Sequence, residues 1–336
     1  MSTRRTNLGL LAALTTALAT GVLAFGIGTR WVVVVIVAHG MAGLAVVIMS
    51  PWKTVIARRG FGRRTFRAVW PSVALGLLVV VTVVSGILRT AGIVRSWGPL
   101  TDMQVHVGAA LLTIPFGLWH ILARGPWPSA RDLDRRNLVR ALGVVGLAAG
   151  AMAASEGAWR LFGLPGGRRR FTGSHERGSH DPARMPVVQW LDDRVAHLDG
   201  SAWRLTVTHR DGSTDEHGIE ALDVGDRLTA TLDCTGGWWA EQDWSGIRLD
   251  RLLPDIEDAR SVRVVSVTGY SRRLPVRDLS HLLLATRMGG APLSAGHGFP
   301  ARLVAPGRRG FWWVKWVTRI ELSARPWWLD IPFPTT

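Results

Sequence analysis

Long apolar runs alternate with short, arginine-rich polar segments in the first half of the chain. Five runs are apolar enough to predict membrane-spanning helices, at about residues 8–28, 31–50, 68–88, 103–123 and 140–155. About 20 apolar residues in a helix cross the roughly 30 Å hydrocarbon layer of a bilayer. Pro71 is compatible with the third run because it falls in the first turn. We therefore predict an all-α membrane bundle of five transmembrane helices over residues 1–157.

A different pattern begins near residue 203, where short runs of alternating apolar and polar residues are separated by glycine and aspartate turns. Such runs are typical of β-strands, which are predicted at residues 203–209, 227–232, 261–267, 301–304 and 312–322. Helical interruptions are predicted at residues 247–253 and 276–287. The pattern predicts a mixed α+β domain over residues 171–325, preceded by a linker at 158–170 and followed by a tail at 326–336.

The net charge of +15 suggests a nucleic-acid binder at first sight, but the distribution of the arginines argues against it. The basic residues cluster beside the apolar runs, at Arg4-Arg5, Arg58-Arg59, Arg63-Arg64-Arg67 and Arg131 to Arg140. Arginine in short loops marks the cytoplasmic side of membrane spans. We therefore expect a multi-pass protein of the cell membrane, in contact with lipid and not with nucleic acid. Its N-terminus should be cytoplasmic and, after five spans, its C-terminal domain extracytoplasmic.

The fifth apolar run follows a pair of arginines, Arg135 and Arg136. Apolar Leu138 and Val139 come next, and then a glycine- and alanine-rich segment. This arrangement resembles a twin-arginine signal, which would make the twin-arginine export machinery a partner. Such signals export domains that have already folded around a cofactor. The alternative is a plain basic cluster on the cytoplasmic side.

Three histidines fall inside the predicted spans, namely His39, His106 and His120. A histidine in hydrocarbon needs a partner, so each is a functional candidate. His106 and His120 are fourteen residues apart, which places them about 20 Å apart on nearly the same helix face. That is the ligand spacing of b-type cytochromes that carry two haems, but the second span supplies only His39, with Lys53 fourteen positions further on. A single haem b would use His39 and one of the other two, and the alternative is histidines near helix ends that contact water or lipid headgroups.

Cys234 is the only cysteine in the chain, which excludes an intramolecular disulfide and a cysteine-rich zinc or iron–sulfur site. It follows a predicted strand and precedes Gly236, Gly237 and two tryptophans. A thiol at a strand end that opens into a glycine turn is well placed to contact a ligand. The alternative is a buried apolar cysteine.

Three sequence blocks give this cysteine a specific context. They are residues 233–238 (Asp-Cys-Thr-Gly-Gly-Trp) leading into 244–253, residues 266–271 (Ser-Val-Thr-Gly-Tyr-Ser), and residues 297–306 (His-Gly-Phe-Pro-Ala-Arg-Leu-Val-Ala-Pro) followed by 310–316. In the third block a Gly-x-Pro-x-Arg motif is followed by Lys-Trp, with the lysine thirteen residues after the arginine. In this order the blocks resemble the sulfite oxidase/oxidoreductase molybdopterin-binding family, over about residues 171–325. Residues 171–182 are also similar to the N-terminal cofactor loop of the bacterial methionine-sulfoxide reductase branch.

The resemblance implies a molybdenum–molybdopterin cofactor and a set of residues that hold it. Cys234 would be the metal ligand and catalytic residue, because a soft thiolate suits molybdenum. Arg302 and Lys315 would bind the pterin phosphate. The remaining implied cofactor contacts are Thr172, Ser174, His297 and Gly310. Tyr270, the only tyrosine, is either a pocket residue or a core residue.

The chain departs from the sulfite oxidases directly after the cysteine. Those enzymes have arginines there that gather sulfite, whereas here Trp238 and Trp239 follow and the first arginine is Arg248. A tryptophan-rich mouth suits a neutral, sulfoxide-like substrate better than a small dianion.

These observations predict a membrane-anchored molybdenum oxidoreductase that performs two-electron oxygen-atom transfer outside the cytoplasm. Its electrons would be exchanged with quinone, and its membrane region would be b-type-cytochrome-like or an anchor only. One alternative is a sulfite dehydrogenase that donates electrons to a soluble cytochrome. The other is a non-enzymatic membrane-bound binding module that has lost the cofactor, against which the intact Cys234, Arg302 and Lys315 argue.

Overall fold

The structure is a computed structural model that describes residues 2–61, 65–124, 128–189, 193–256 and 258–330. The chain divides into two compact units, the first formed by Met1–Phe25 and Arg30–His175 and the second by Gly26–Thr29 and Glu176–Thr336. Two residues of a predicted cytoplasmic arginine cluster, Arg63 and Arg64, and residues 331–336 of the predicted tail lie outside the described residues.

The first unit is helical. Its helices are α1 (Thr3–Gly26), α2 (Val32–Phe61), α3 (Phe66–Ala91), α4 (Asp102–Arg124) and α5 (Arg135–Leu161). A two-residue hairpin joins α3 to α4, formed by β1 (Ser96–Trp97) and β2 (Leu100–Thr101), and 3-10 turns cover Ala130–Leu133 and Pro165–Arg168. Each of the five helices is long and apolar enough to cross a membrane.

The fifth helix is longer than its apolar run predicts. The side chain of Asp134 caps it, since its Oδ1 accepts a hydrogen bond of 2.6 Å from the N–H of Asn137. A capping carboxylate supplies an acceptor for an N–H group that would otherwise lack one at the start of a helix. The helix therefore begins at Arg135, ahead of the predicted start at residue 140, and the paired arginines lie in its first turn.

Small side chains hold the helices of the first unit together. Ala13 of α1, Ala45 of α2 and Ala148 of α5 form a buried cluster with Val46 and Met49. Many large apolar side chains on the outer faces are exposed, for example Leu77, Leu111 and Leu142. A surface this apolar is typical of helices that face lipid.

Strands are the main regular secondary structure of the second unit, and β3 begins at His175, the last residue of the first unit. They are β3 (His175–Glu176), β4 (Leu205–Thr208), β5 (Thr214–His217), β6 (Asp226–Asp233), β7 (Trp238–Arg248), β8 (Ser261–Ser266), β9 (Ser271–Pro275), β10 (Leu283–Met288), β11 (Ala291–Pro292), β12 (Arg302–Val304) and β13 (Val317–Ser323). Helices are single turns, α6 (Ile219–Leu222) and α7 (Leu249–Leu252), with 3-10 turns at Val276–His281, Ala295–His297, Gly310–Trp312 and Trp327–Leu329.

These strands form two sheets. The first has six strands, ordered β11-β10-β7-β3, with β12 also paired to β10 and β6 to β7. The second has five strands in the order β5-β4-β13-β8-β9, in which β13 runs parallel to β4 and antiparallel to β8. In the β6–β7 hairpin Asp233 pairs with Trp239, so the turn between these strands contains Cys234.

Two predictions for this unit were wrong. The segment predicted as a helix over residues 276–287 is a 3-10 turn followed by β10, because Leu283, Leu284 and Ala285 form a run that is fully buried between β7 and β12. A continuous apolar run of this length fits a buried strand as well as a helix. The helix predicted over residues 247–253 is only the single turn α7, since β7 continues to Arg248. The unit is therefore richer in strand than the α+β prediction implied.

Candidate functional site

Cys234 sits in a tight turn that β6 and β7 create. Its N–H donates to the carbonyl of Trp238 at 2.8 Å, and its own carbonyl accepts from the N–H of Gly237 at 2.9 Å. Gly237 has a φ of 88°, a left-handed conformation that glycine adopts without steric cost. The Sγ atom accepts a hydrogen bond of 3.3 Å from the N–H of Gly236. The hairpin therefore fixes the direction of the thiol.

Burial raises the pKa of the Cys234 thiol, although the Gly236 N–H and the cations Arg309 and Lys315 each lower it by a smaller amount. The protein alone thus favours the protonated thiol. A bound metal would deprotonate the thiol because a positive ion stabilises the thiolate.

Gly310 packs closely against the backbone of Cys234. A Cβ atom at this position would lie 3.1 Å from the Cα of Cys234 and 3.4 Å from the carbonyl oxygen of Asp233. A side chain would therefore push the 3-10 turn at Gly310–Trp312 away from the hairpin. This contact explains why the sequence motif has glycine here.

A buried ion pair ties the same two segments together. Arg309 donates from Nη1 to Asp233 Oδ1 at 2.7 Å, and both side chains are at most 4% exposed. Its Nη2 also donates to the carbonyl of Cys234 at 3.3 Å. Arg309 is not among the residues that the sequence predicts for this site, because the chain has 40 basic residues and nothing in the composition distinguishes this one. Two features of the sequence could have indicated it: Arg309 directly precedes Gly310, and the acidic residue Asp233 directly precedes the cysteine.

Arg302 is the second buried arginine near the cysteine, and its surroundings differ. It is 1% exposed, donates from Nη1 to the carbonyl of His297 at 3.0 Å, and stacks over the rings of Trp244 and Trp313 at 5.2 and 5.9 Å. Within the described residues its Nε atom has no acceptor, and no carboxylate forms an ion pair with it. Burial lowers the pKa of Arg302 to about 10.

Lys315 is a second basic side chain near Cys234 and Arg302. Its Nζ atom donates to three neutral oxygens, the carbonyl of Val188 at 3.0 Å, Oε1 of Gln189 at 3.1 Å and the carbonyl of Gly296 at 2.6 Å. Burial and the charge of Arg302 lower the pKa of Lys315 to about 7. Arg302, which is buried, and Lys315, which is partly exposed, have no ion-paired carboxylate in the described part of the chain. Two basic groups placed in this way indicate a site for an anion.

The loop that contains His297 holds the two cations at their spacing. Gly298 has a φ of 108°, and a Cβ atom there would lie 3.0 Å from Cβ of Arg302 and 3.2 Å from Cβ of Lys315. The side chain of His297 bonds within the protein at both nitrogens, Nδ1 with Ser294 Oγ at 2.8 Å and Nε2 with the carbonyl of Met185 at 3.2 Å. Burial lowers the pKa of His297 to about 4, so the ring is neutral at pH 7.

A cavity of about 80 Å³ opens beside the cysteine. Its lining includes Cys234, Thr235, Asp193, Tyr270 and Lys315, and none of its described lining residues is an arginine. The phenol of Tyr270 is buried and donates to the carbonyl of Phe311, so this residue belongs both to the pocket and to the core.

The tryptophans of this cavity are not the predicted ones. Trp313 and Trp316 line it, whereas Trp238 and Trp239 are absent from the lining and Trp238 is buried in β7. A larger cavity of about 450 Å³ lies between residues such as Leu228 and His281 and contains none of the predicted site residues.

The structure thus brings together Cys234, His297, Arg302, Gly310 and Lys315. Thr172 and Ser174 are buried residues of the first unit, and their predicted role stays a prediction. The donor set fits molybdopterin in its chemistry, since it offers one soft sulfur ligand and, beside it, two cations that require an anion such as phosphate.

Comparison with known proteins identifies this part of the chain. The profile of the family described as oxidoreductase molybdopterin binding domain matches residues 193–328. This part of the chain is therefore similar to molybdopterin-binding oxidoreductase domains. Its matched residues include Cys234, Arg302, Arg309 and Lys315.

Two individual proteins are similar to shorter parts of the chain. A nitrate reductase [NADPH] of Mycosarcoma maydis is 50% identical over 44 residues, which is 13% of this chain and 4% of that protein. The crystal structure of the sulfane dehydrogenase SoxCD from Paracoccus pantotrophus aligns with a TM-score of 0.36 and 24% identity, over 39% of this chain and 40% of that chain. The chain thus spans less than half the length of each of these two proteins.

Proposed function

We propose that the second unit binds molybdenum–molybdopterin through Cys234 and catalyses two-electron oxygen-atom transfer on a small molecule. The observation that carries this proposal is a pair of basic side chains, the buried Arg302 and the partly exposed Lys315, near a thiol in the part of the chain that the molybdopterin-binding profile matches. When bound, the cofactor supplies the two-electron redox chemistry, and the protein supplies the ligand, the orientation and the shape of the pocket.

Each residue of the site then has a distinct role. Cys234 is the metal ligand, and the N–H of Gly236 stabilises its thiolate. Arg302 and Lys315 hold the phosphate, the arginine as a planar fork and the lysine as a point charge. The backbone carbonyl of His297 orients Arg302 by accepting its hydrogen bond. Both ring nitrogens of His297 already have partners within the protein. The predicted hydrogen bond from the His297 ring to the cofactor would have to replace one of these contacts.

The charge of the cavity favours a neutral substrate. Asp193 and Lys315 line the cavity together, and no arginine is among its described lining residues. A carboxylate beside the reacting centre repels a dianion such as sulfite. We therefore favour a sulfoxide-like or other neutral small molecule. Sulfite oxidation with electron donation to a soluble cytochrome is the second candidate, and a binding module without catalysis is the third.

We also propose that the five helices anchor the protein in the cell membrane, with the N-terminus cytoplasmic and the second unit outside. Contacts within the first unit support the proposal that the segments predicted to be cytoplasmic lie at the same end of the five helices. Arg4 of α1 pairs with Asp132, ahead of α5, at 2.7 Å, and Lys53 of α2 donates to Asn7 of α1 at 2.9 Å. In this proposal, Arg135 and Arg136 direct export by the twin-arginine machinery, after the cofactor is inserted.

The electron partner in this proposal is membrane quinone. The first unit would pass electrons to it through haem b, or would serve only as anchor and docking site. His39, His106 and His120 remain the candidate haem ligands for the first case.

Molybdenum analysis of the purified full chain tests the proposal. We expect about one molybdenum per chain in the wild type, almost none in Cys234→Ser, and the wild-type value in Ser280→Ala, an exposed control. A panel of sulfoxides, sulfite and nitrate, assayed with an artificial electron carrier, then identifies the substrate class. Absence of molybdenum from the wild type, or equal molybdenum in Cys234→Ser, would refute the enzyme proposal.

A further inference from the structure

Two of the three membrane histidines face each other in the first unit. The rings of His39 on α2 and His106 on α4 have centroids 5.9 Å apart and planes at 80°. Two imidazoles that bind one metal from opposite sides, each at about 2 Å, have ring centroids about 6 Å apart. The spacing of the two rings therefore matches a pair of ligands to one metal ion.

Each histidine is held by the same arrangement on a neighbouring helix. His39 Nδ1 contacts the carbonyl of Ala17 at 2.9 Å and the hydroxyl of Thr20 at 3.3 Å. A Cβ atom on Gly21 would lie 3.3 Å from Cε1 of the same ring. The carbonyl, the hydroxyl and the glycine thus come from positions i, i+3 and i+4 of α1.

The arrangement recurs around the other ring. His106 Nδ1 contacts the carbonyl of Thr82 at 2.8 Å and the hydroxyl of Ser85 at 3.5 Å, and a Cβ atom on Gly86 would lie 2.9 Å from its Cε1. These residues again occupy positions i, i+3 and i+4, now of α3. We call the set formed by a carbonyl, a hydroxyl and a glycine the histidine cradle.

Each cradle selects one tautomer. A backbone carbonyl only accepts hydrogen bonds, so Nδ1 carries the proton and Nε2 keeps its lone pair. This is the form in which histidine binds metals, and a carbonyl at the other nitrogen is the usual partner that fixes it. A histidine that only needs a hydrogen-bond partner in the bilayer does not need a carbonyl, a hydroxyl and a glycine at the same three positions. The presence of two matching cradles therefore has no explanation in that reading.

The identity of the metal group follows from the shortage of other ligands. No group of three or more histidine, cysteine or carboxylate side chains that could hold a metal occurs in the described residues. Two imidazoles alone leave the coordination of zinc or iron incomplete. A planar macrocycle supplies four nitrogens in the plane between them and is apolar enough for the hydrocarbon region.

We infer that His39 and His106 would together hold a single haem in the first unit, and that His120 would not be one of its ligands. His120 lies fourteen residues along α4 from His106 and contacts Ser72 of α3 at 3.1 Å. This inference deepens the proposed function, because it rests on the first unit being a redox carrier, and it selects one of the histidine pairs left open by the sequence.

Optical spectra of the purified full chain in detergent test the inference. We expect a reduced-minus-oxidised b-type spectrum with about one haem per chain. His39→Gln and His106→Gln should each lose at least nine-tenths of this signal, whereas the matched control His120→Gln should retain it. Because a glutamine variant can fail to fold, His106→Gly should be measured with added imidazole, which should restore the low-spin spectrum.

Four outcomes would overturn the inference: no haem in the wild type, two haems per chain, retained haem in both His39→Gln and His106→Gln, or loss of haem in His120→Gln. Molybdenum measured in the same samples separates this result from the proposed activity. Molybdenum without haem would refute only the histidine pair, and haem without molybdenum would refute only the proposed chemistry of Cys234.

Discussion

The histidine pair of the first unit and the cysteine site of the second unit would hold their proposed cofactors in different ways. The orientation of His39 and His106 is set by backbone carbonyls of neighbouring helices. Cys234 is a single thiol with two basic side chains near it, the buried Arg302 and the partly exposed Lys315. In our proposal the first site holds a haem with two imidazoles. The second site offers one thiol and two basic groups, so the cofactor that we propose for it would bring further sulfur and an anion.

The largest expected effect is that each of two variants loses one of the two proposed cofactor sites and keeps the other. Cys234→Ser should lower oxygen-atom transfer more than 100-fold, because the metal loses its protein ligand, and should leave the b-type spectrum unchanged. His106→Gln should remove that spectrum and leave the molybdenum content unchanged. Metal and haem analysis of both proteins checks this prediction. A variant that loses both centres would show that the two sites are not independent.

The two buried arginines near Cys234 should respond in opposite ways. Arg302→Met should lower molybdenum occupancy at least tenfold without lowering the melting temperature of the cofactor-free protein, since it removes an unpaired buried cation. Arg309→Met should leave Asp233 buried without its arginine and cost about 3–5 kcal/mol of unfolding free energy. Thermal unfolding and metal analysis distinguish the two variants, and the double variant with Asp233→Asn should recover part of the stability. Equal behaviour of the two arginines would contradict the assignment of Arg302 to the phosphate.

Gly298 should matter through the side chains that it touches. Gly298→Ala introduces a Cβ atom 3.0 Å from Cβ of Arg302 at a φ of 108°, so we expect a loss of about 1–3 kcal/mol and several-fold lower cofactor occupancy. Gly269→Ala is the matched control, because Gly269 has a φ of 88° and nothing within 4 Å of such an atom. The control should show the backbone strain alone, with normal occupancy. If both variants keep full occupancy, Gly298 does not hold the cations in place.

A further expected effect is a pH dependence of the stability of the cofactor-free protein. The pKa of Lys315 is about 7 in the folded chain and 10.5 in the unfolded chain, so the unfolded chain binds more protons between these values. The unfolding free energy should therefore rise with pH from about 7 to 10.5, by at most about 1.4 kcal/mol per pH unit. Lys315→Met should lack this contribution, and melting temperatures of both proteins across this range measure it. Parallel curves would show that the pKa of Lys315 is not lowered in the folded chain.

The sequence predicted the parts of the molecule whose signals are local. Uniform apolar runs predict the five long apolar helices of the described residues, and the Gly-x-Pro-x-Arg motif with Lys315 predicts the molybdopterin-binding domain that the family profile matches. The start of α5 was missed because a single capping side chain, Asp134, decides it.

Other features depend on residues that are distant in sequence. The segment that contains β10 is predicted as a helix, and this prediction is wrong because the burial of β10 comes from β7 and β12 on either side. Arg309 gained its importance only through Asp233, which lies 76 positions earlier. The choice of His106 over His120 required the contacts that the cradles make across helices.

The most direct test of the central claim is X-ray absorption at the molybdenum edge, on the wild type and on Cys234→Ser reconstituted with excess cofactor. We predict one sulfur ligand fewer in the variant, because in our proposal the thiolate of Cys234 binds the metal. An unchanged sulfur count would contradict the assignment of Cys234 as the molybdenum ligand.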